Sequence, residues 1–252
     1  MVFTLAKTYR ALQQWDNWLR QPLGERVLNA ERKIVSALQG DCYGTHVLLL
    51  GVPAQQMLFK FDSMPCQTLL SPLLNKHHPV QRYIEAELYE LPIASASIDI
   101  VLLPHSHEHV DNPRKLLMEA CRIVKPEGHI IIFGFNPYSL WSLKKKQNIQ
   151  KRIPGLGHFI AANKIKEWLA LADFELTKHD MFLFRPPIQQ ENIYNQLSIL
   201  EWLGGKLLKP LGGAYMIMAK AKVIPLTSIK VHWKQELSGI PLSIPGQSIR
   251  NW

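Results

Sequence analysis

Residues 91–128, LPIASASIDIVLLPHSHEHVDNPRKLLMEACRIVKPEG, confine the chain to a parallel α/β architecture. Ile98 to Leu103 is a run of β-branched and apolar residues without polar alternation, the pattern of a strand buried on both faces. After it, Leu116, Leu117, Ala120, Ile123 and Val124 recur at helical spacing, with Arg114, Lys115, Glu119 and Arg122 on the opposite side. Pro126 and Gly128 are expected to stop that helix. A second apolar run follows, from His129 to Phe135. Strand, helix and strand of these lengths predict a right-handed parallel crossover unit.

The same pattern extends outward from this unit. His46 to Leu50 reads as the first core strand, Gln67 to Leu70 as the second, and Tyr83-Ile84 lies on the third. Upstream, Leu12, Trp15, Trp18, Leu19, Val27, Leu28, Ile34, Val35 and Leu38 mark two helices separated near Pro22-Leu23-Gly24. Downstream, Asn163 is expected to cap a helix over Ile165 to Ala172 that turns Trp168, Leu169 and Leu171 inward. Phe174 to Phe184 and Tyr215 to Val223 read as a final antiparallel pair, with a helical insert over 191–208 between them. The proline-punctuated stretch from Pro225 onward predicts little regular structure. The chain divides into an N-terminal helical extension (1–40), a core domain (41–224) and an irregular tail (225–252).

No apolar run reaches membrane-spanning length, and Lys7, Arg10, Asp16 and Arg20 interrupt the N-terminus, so neither a span nor a signal peptide is expected. Cys42, Cys66 and Cys121 lack paired spacing, which points to a reducing compartment and a cytoplasmic location. The net charge of +9 is carried mainly by the C-terminal half. Lys144, Lys145, Lys146, Lys151 and Arg152 cluster without an acid among them. This basic segment offers a surface for nucleic acid, but a solvated loop is the favoured reading, because no aromatic interleaving accompanies it.

Two motifs in register carry a resemblance to a known family. Leu91-Pro92-Ile93 followed by Ser97-Ile98-Asp99-Ile100-Val101 is one, and Asp111, Pro113, Leu117, Glu119, Arg122, Ile123, Val124, Lys125, Pro126 and Gly128 form the other. Their spacing resembles class I S-adenosylmethionine-dependent methyltransferases of the "type 11" group. The run Phe135-Asn136-Pro137-Tyr138-Ser139-Leu140-Trp141 looks like the bacterial YafS-like branch of it. The resemblance implies a Rossmann-like, mostly parallel seven-stranded sheet with helices on both faces. It also implies S-adenosylmethionine as cofactor and methyl transfer to a small-molecule acceptor as the activity.

In such a sheet ligands bind beyond the carboxyl ends of the strands, at the point where strand order reverses. The resemblance therefore implies cofactor contacts at Gly51, Ser71, Glu87, Leu88 and His105. Glu87 would accept from the adenine amino group and Leu88 would offer its backbone N–H. The residues expected to face substrate are His107, His109, Asn136 and Tyr138. The first loop departs from the family pattern. Leu49, Pro53 and Gln55 stand where an acid and two glycines are expected, so a non-catalytic binding or scaffold protein is an alternative.

His105, His107 and His109 suggest a second alternative, a metal-dependent hydrolase, because alternating histidines can converge on zinc. The register of that motif fails at His109-Val110, so no metal site is expected. The histidines instead either line the pocket, one as a general base, or serve as hydrogen-bonded scaffold. Asn136-Pro137-Tyr138 and Pro65-Cys66 resemble fragments of nucleic-acid methylase motifs but fall after or before the wrong strands, and read as local turns.

Overall fold

A computed structural model describes residues 2–59, 61, 64–73, 82–142, 159–187 and 211–223. The expected helical insert at 191–208, the basic segment Lys144 to Arg152 and the tail from 225 lie outside these residues. The strands are β1 (His46–Leu50), β2 (Cys66–Ser71), β3 (Tyr83–Glu85), β4 (Ile98–Pro104), β5 (Val124–Phe135), β6 (Phe174–Phe182) and β7 (Ala214–Ala221). The described helices are α1 (Val2–Leu19), α2 (Pro22–Ala37), α3 (Pro113–Ile123) and α4 (Ala162–Leu171). Among the described residues no helix is long and apolar enough to cross a membrane.

The seven strands form one sheet in the order β3-β2-β1-β4-β5-β7-β6. Pairs from β3 through β5 are parallel, while β7 runs antiparallel to both β5 and β6. β1 and β4 are adjacent, and the chain leaves them toward opposite edges, so the reversal of strand order falls between them. The central strands are buried on both faces: Ile100 to Leu103 and Ile130 to Phe133 are inaccessible to solvent, as their unbroken apolar runs predict. Leu12, Trp15, Leu19, Val27, Leu28 and Val35 from α1 and α2 belong to the same continuous core as the sheet.

Several residues of the two sequence motifs act as structural fasteners. The Arg122 guanidinium in the last turn of α3 donates to the Ile93 and Leu91 carbonyls at 3.0 and 3.2 Å and pairs with Glu119. Glu119 in turn accepts the Leu91 N–H. The helix is thus tied to the Leu-Pro-Ile turn that leads into β4. Asp99 accepts the N–H groups of Thr45 and His46, each at 3.0 Å, and pairs with Lys125 at 2.8 Å, linking the starts of β1, β4 and β5. Burial alone would raise the Asp99 carboxyl; the Lys125 ammonium and the two backbone donors outweigh it and hold it below the ordinary range.

The helix boundaries differ from the sequence expectation in two places. α3 ends at Ile123, before Pro126, and the chain passes directly into β5 with Glu127 at φ +65°. α4 is preceded by Ala161 as N-cap, with Asn163 already inside the helix. Its buried residues are Ile165 and Leu169, while Leu171 is 65% exposed. Two residues along a helix is a turn of about 200°, so Leu171 cannot share the face of Leu169.

Candidate active site at the strand-order reversal

The C-terminal ends of β1 and β4 meet at the reversal point, and their loops are cross-linked by side chains. Ser106 Oγ donates to the Leu50 carbonyl at 2.6 Å. Gln55 Nε2 donates to the Pro104 carbonyl at 2.8 Å, and Gln55 Oε1 accepts the Val52 N–H at 3.0 Å. Gln55 is fully buried. It belongs to a short 3-10 helix, Pro53–Leu58, in which Pro53 occupies the first turn. A proline there removes an N–H that would have no partner within the helix. Gly51 is needed for close approach: a Cβ there would lie 2.4 Å from Gln55 Oε1.

His105 follows β4 in a left-handed conformation, φ +60°. Its Nδ1 faces Glu108 Oε2 at 2.8 Å and its Nε2 faces Glu31 Oε1 at 2.6 Å, all three side chains being buried. Burial opposes protonation of this imidazole, but Glu108 and Glu31 overcome it and lift its pKa to about 9. Both ring nitrogens of the protonated ring then donate, one to each acidic side chain, while burial outweighs His105 and the Phe135 N–H and raises the Glu108 carboxyl above its ordinary range. His105 therefore has no free nitrogen to act as a general base. Glu108 also accepts the Phe135 N–H at 2.7 Å, coupling the end of β5 to the same group.

His107 is in the opposite state. Burial, reinforced by His105 and His109, lowers its pKa to about 3, so the ring is neutral. Its Nε2 lies 3.3 Å from Tyr215 Oη on β7, and its buried Nδ1 has no hydrogen-bond partner among the described residues. His109 packs against Trp15, ring centroids 4.8 Å apart. Among the described residues no three His, Cys, Asp or Glu side chains group as metal ligands.

α1 and α2 close over this end of the sheet. Trp15 stacks on Trp18 at 5.0 Å and tilts onto His105 at 5.3 Å. Asp16 Oδ1 accepts the Ala54 N–H at 2.7 Å, in the first turn of the 3-10 helix. Gly24 lets the two helices approach: a Cβ there would fall 2.3 Å from the Trp18 carbonyl oxygen.

The other expected site residues lie at or beyond the C-terminal ends of β2, β3 and β5. Ser71 ends β2, buried, with its Oγ accepting the Leu73 N–H. Its carbonyl accepts the Ala86 N–H and the Tyr83 hydroxyl, which also donates to the Leu73 carbonyl. Beyond β3, Glu87 is exposed and Leu88 buried. Asn136 is buried after β5 and holds a turn, its Oδ1 accepting the Tyr138 N–H and its Nδ2 donating to the Gly212 carbonyl. Tyr138 is 78% exposed.

Sequence reasoning missed Glu31, Glu108, Asp16 and Tyr215. Glu31 did leave a signal: with Val27, Leu28 and Val35 it falls on the apolar stripe of α2, where a charge needs a buried partner.

Residues 65–132 match the methyltransferase domain family. Over the whole architecture the chain is similar to a SAM-dependent methyltransferase from Thermotoga maritima. That comparison gives 15% identity and TM-score 0.60 and covers 87% of this chain and 100% of the other. The N-methyltransferase NodS from Bradyrhizobium japonicum, solved with S-adenosyl-L-homocysteine, aligns at 9% identity and TM-score 0.54, covering 85% and 98%. The fold is that of the class I S-adenosylmethionine-dependent methyltransferases. In sequence, the chain is 28% identical over 219 residues to the uncharacterized protein YafS of Escherichia coli (strain K12), covering 84% of this chain and 83% of that one.

Toward S-adenosylmethionine the described residues offer Ser71 at the end of β2 and the exposed Glu87 after β3, while the Gln55 carboxamide covers the surface of Gly51.

Proposed function

We propose that this chain is an S-adenosylmethionine-dependent methyltransferase acting on a small-molecule acceptor. The observation that carries the reading is the junction of β1 and β4 at the reversal of strand order, with Gly51 and His105 at its two lips. The match of residues 65–132 to the methyltransferase domain family supports it independently. A small acceptor is favoured by the cover of α1 and α2, which buries the His105 side of the site under Trp15 and Trp18.

The cofactor would supply an activated methyl group on a sulfonium; the chain must align an acceptor and exclude water. Ser71, Glu87 and Leu88 would hold the adenosine, and the Gly51 loop the opposite end. The Glu31-His105-Glu108 group would hold the loop after β4 in place. His107 would offer its neutral ring to an acceptor hydroxyl or amine. Asn136 fixes the turn that presents Tyr138.

Calorimetric titration with S-adenosylhomocysteine tests the cofactor half of this reading, with binding in the tens of micromolar expected, about 6 kcal/mol. Incubation with methyl-labelled S-adenosylmethionine and separated small-molecule, protein and nucleic-acid fractions tests the acceptor half. Label in the small-molecule fraction is expected. Absence of binding at millimolar ligand would favour a non-catalytic protein, and label confined to a macromolecular fraction would overturn the acceptor class.

A further inference from the structure

The Gln55 carboxamide fills two hydrogen-bonding positions of opposite sense at the strand-order reversal. Its Oε1 takes the Val52 N–H from the loop after β1, and its Nε2 gives a hydrogen to the Pro104 carbonyl at the end of β4. The side chain is fully buried, and it lies against Gly51 so closely that any other residue at 51 would displace it. The Gln55 N–H meanwhile donates to the Val52 carbonyl at 2.9 Å, so backbone and side chain grip Val52 from both sides.

An α-amino-acid group presents the same pair of functions a few ångströms apart: a carboxylate that accepts and an ammonium that donates. We propose that Gln55 is an internal surrogate for the amino-acid end of the ligand, a displaceable plug that holds the site's donor and acceptor satisfied until a ligand takes them over. The proposal rests on the reading of the chain as an S-adenosylmethionine-dependent enzyme.

The plug sets how much an amino-acid tail is worth. A ligand carrying the tail must expel the carboxamide and inherits its two partners, so two hydrogen bonds are broken for each two formed. A nucleoside thioether without the tail leaves Gln55 in place. The wild-type chain therefore discriminates weakly between the two kinds of ligand, and Gln55 is the residue that determines it.

The full-length protein is titrated with S-adenosylhomocysteine, which has the tail, and with 5′-methylthioadenosine, which lacks it. Wild type should bind both with similar affinity. Gln55→Ala should bind S-adenosylhomocysteine about tenfold more tightly and 5′-methylthioadenosine unchanged, because the two hydrogen bonds no longer have a competitor. If the Gln55→Ala variant melts too low to titrate, Gln55→Met serves: its flexible side chain fills similar space without donating to the Pro104 carbonyl, so S-adenosylhomocysteine should again bind more tightly and 5′-methylthioadenosine unchanged.

The wild-type protein gives a readout that needs no variant. The Gln55 side-chain NH₂, buried in the free protein, should become exchange-exposed on adding S-adenosylhomocysteine and stay protected with 5′-methylthioadenosine. If both ligands bind while both variants and the exchange pattern are unaffected, the plug is refuted and the functional reading stands. If neither ligand binds wild type or variant at millimolar concentration, the functional reading falls and the plug with it.

Discussion

Replacing Glu31 with glutamine isolates the charge that α2 contributes to the buried His105. The glutamine carbonyl can still accept from His105 Nε2, now 2.6 Å from Glu31 Oε1, so the change removes an electrostatic attraction while leaving an acceptor in reach. In the wild type the His105 pKa rises from 6.5 to about 9. A group bound more tightly to its proton in the folded state contributes its full stability below the unfolded pKa. That contribution is lost as pH rises through the folded value. For a shift of this size it amounts to about 3 kcal/mol, present below pH 6.5 and gone above about pH 9. With Glu31→Gln only Glu108 still pulls on the proton, so the decline should begin and end at lower pH, and stability at pH 7 should fall by about 1–2 kcal/mol. Urea midpoints at half-unit steps from pH 6 to 10, followed by tryptophan fluorescence, to which Trp15 against the histidine contributes, measure both quantities. A wild-type curve that is flat from pH 6.5 to 9, or a variant curve merely parallel to it, would refute a protonated His105 held by two carboxylates.

Three further outcomes follow from neighbouring contacts. Glu87→Ala should weaken S-adenosylhomocysteine binding by about 1–2 kcal/mol in calorimetry and leave the melting temperature unchanged, because the side chain is exposed. Asp16→Ala deprives the Ala54 N–H of its acceptor and should cost about 1 kcal/mol, with faster hydrogen exchange concentrated at Ala54; uniform loss across the chain would mean Asp16 does not anchor α1 to that loop. Gly134→Ala would put a Cβ 2.4 Å from Tyr215 Oη and 3.0 Å from His107 Nε2, so a destabilisation of about 1–3 kcal/mol is expected and an unchanged urea midpoint would contradict the packing.

Much of the fold could be read in the sequence because its strands are buried on both faces. Runs such as Ile100 to Leu103 and Ile130 to Phe133 have no alternation to confuse with a surface strand, and their turns are marked by proline and glycine. Boundaries were less legible, since they depend on tertiary partners. Pro126 and Gly128 suggested a helix stop, yet α3 ends at Ile123 because Lys125 is drawn to Asp99 and Val124 already pairs with Ile98 in the sheet. Gly128 serves that junction directly: a Cβ there would fall 2.8 Å from the Asp99 carbonyl oxygen. Leu91, Glu119, Arg122, Asp99 and Lys125 carried the family resemblance, and the contacts they make are those of a frame. That explains why a motif so specific for a fold names no reacting group.

The site was less legible, for the converse reason: its residues acquire their chemistry from partners far away in sequence. His105 and His107 are two residues apart and indistinguishable in the sequence, yet one is lifted to about 9 and the other depressed to about 3. The difference lies in Glu31, 74 positions upstream of His105, and in Glu108, which turns its carboxylate toward His105 and away from His107. The first loop illustrates the same point. By residue type, Pro53 and Gln55 read as losses from a glycine-rich turn. In place, the proline starts a short 3-10 helix, and the glutamine supplies one acceptor and one donor to loops on two adjacent strands. Residue type alone does not tell which backbone groups such side chains take as partners. Here the Val52 N–H and the Pro104 carbonyl are both answered, and the loop has kept its hydrogen-bonding capacity by turning it inward.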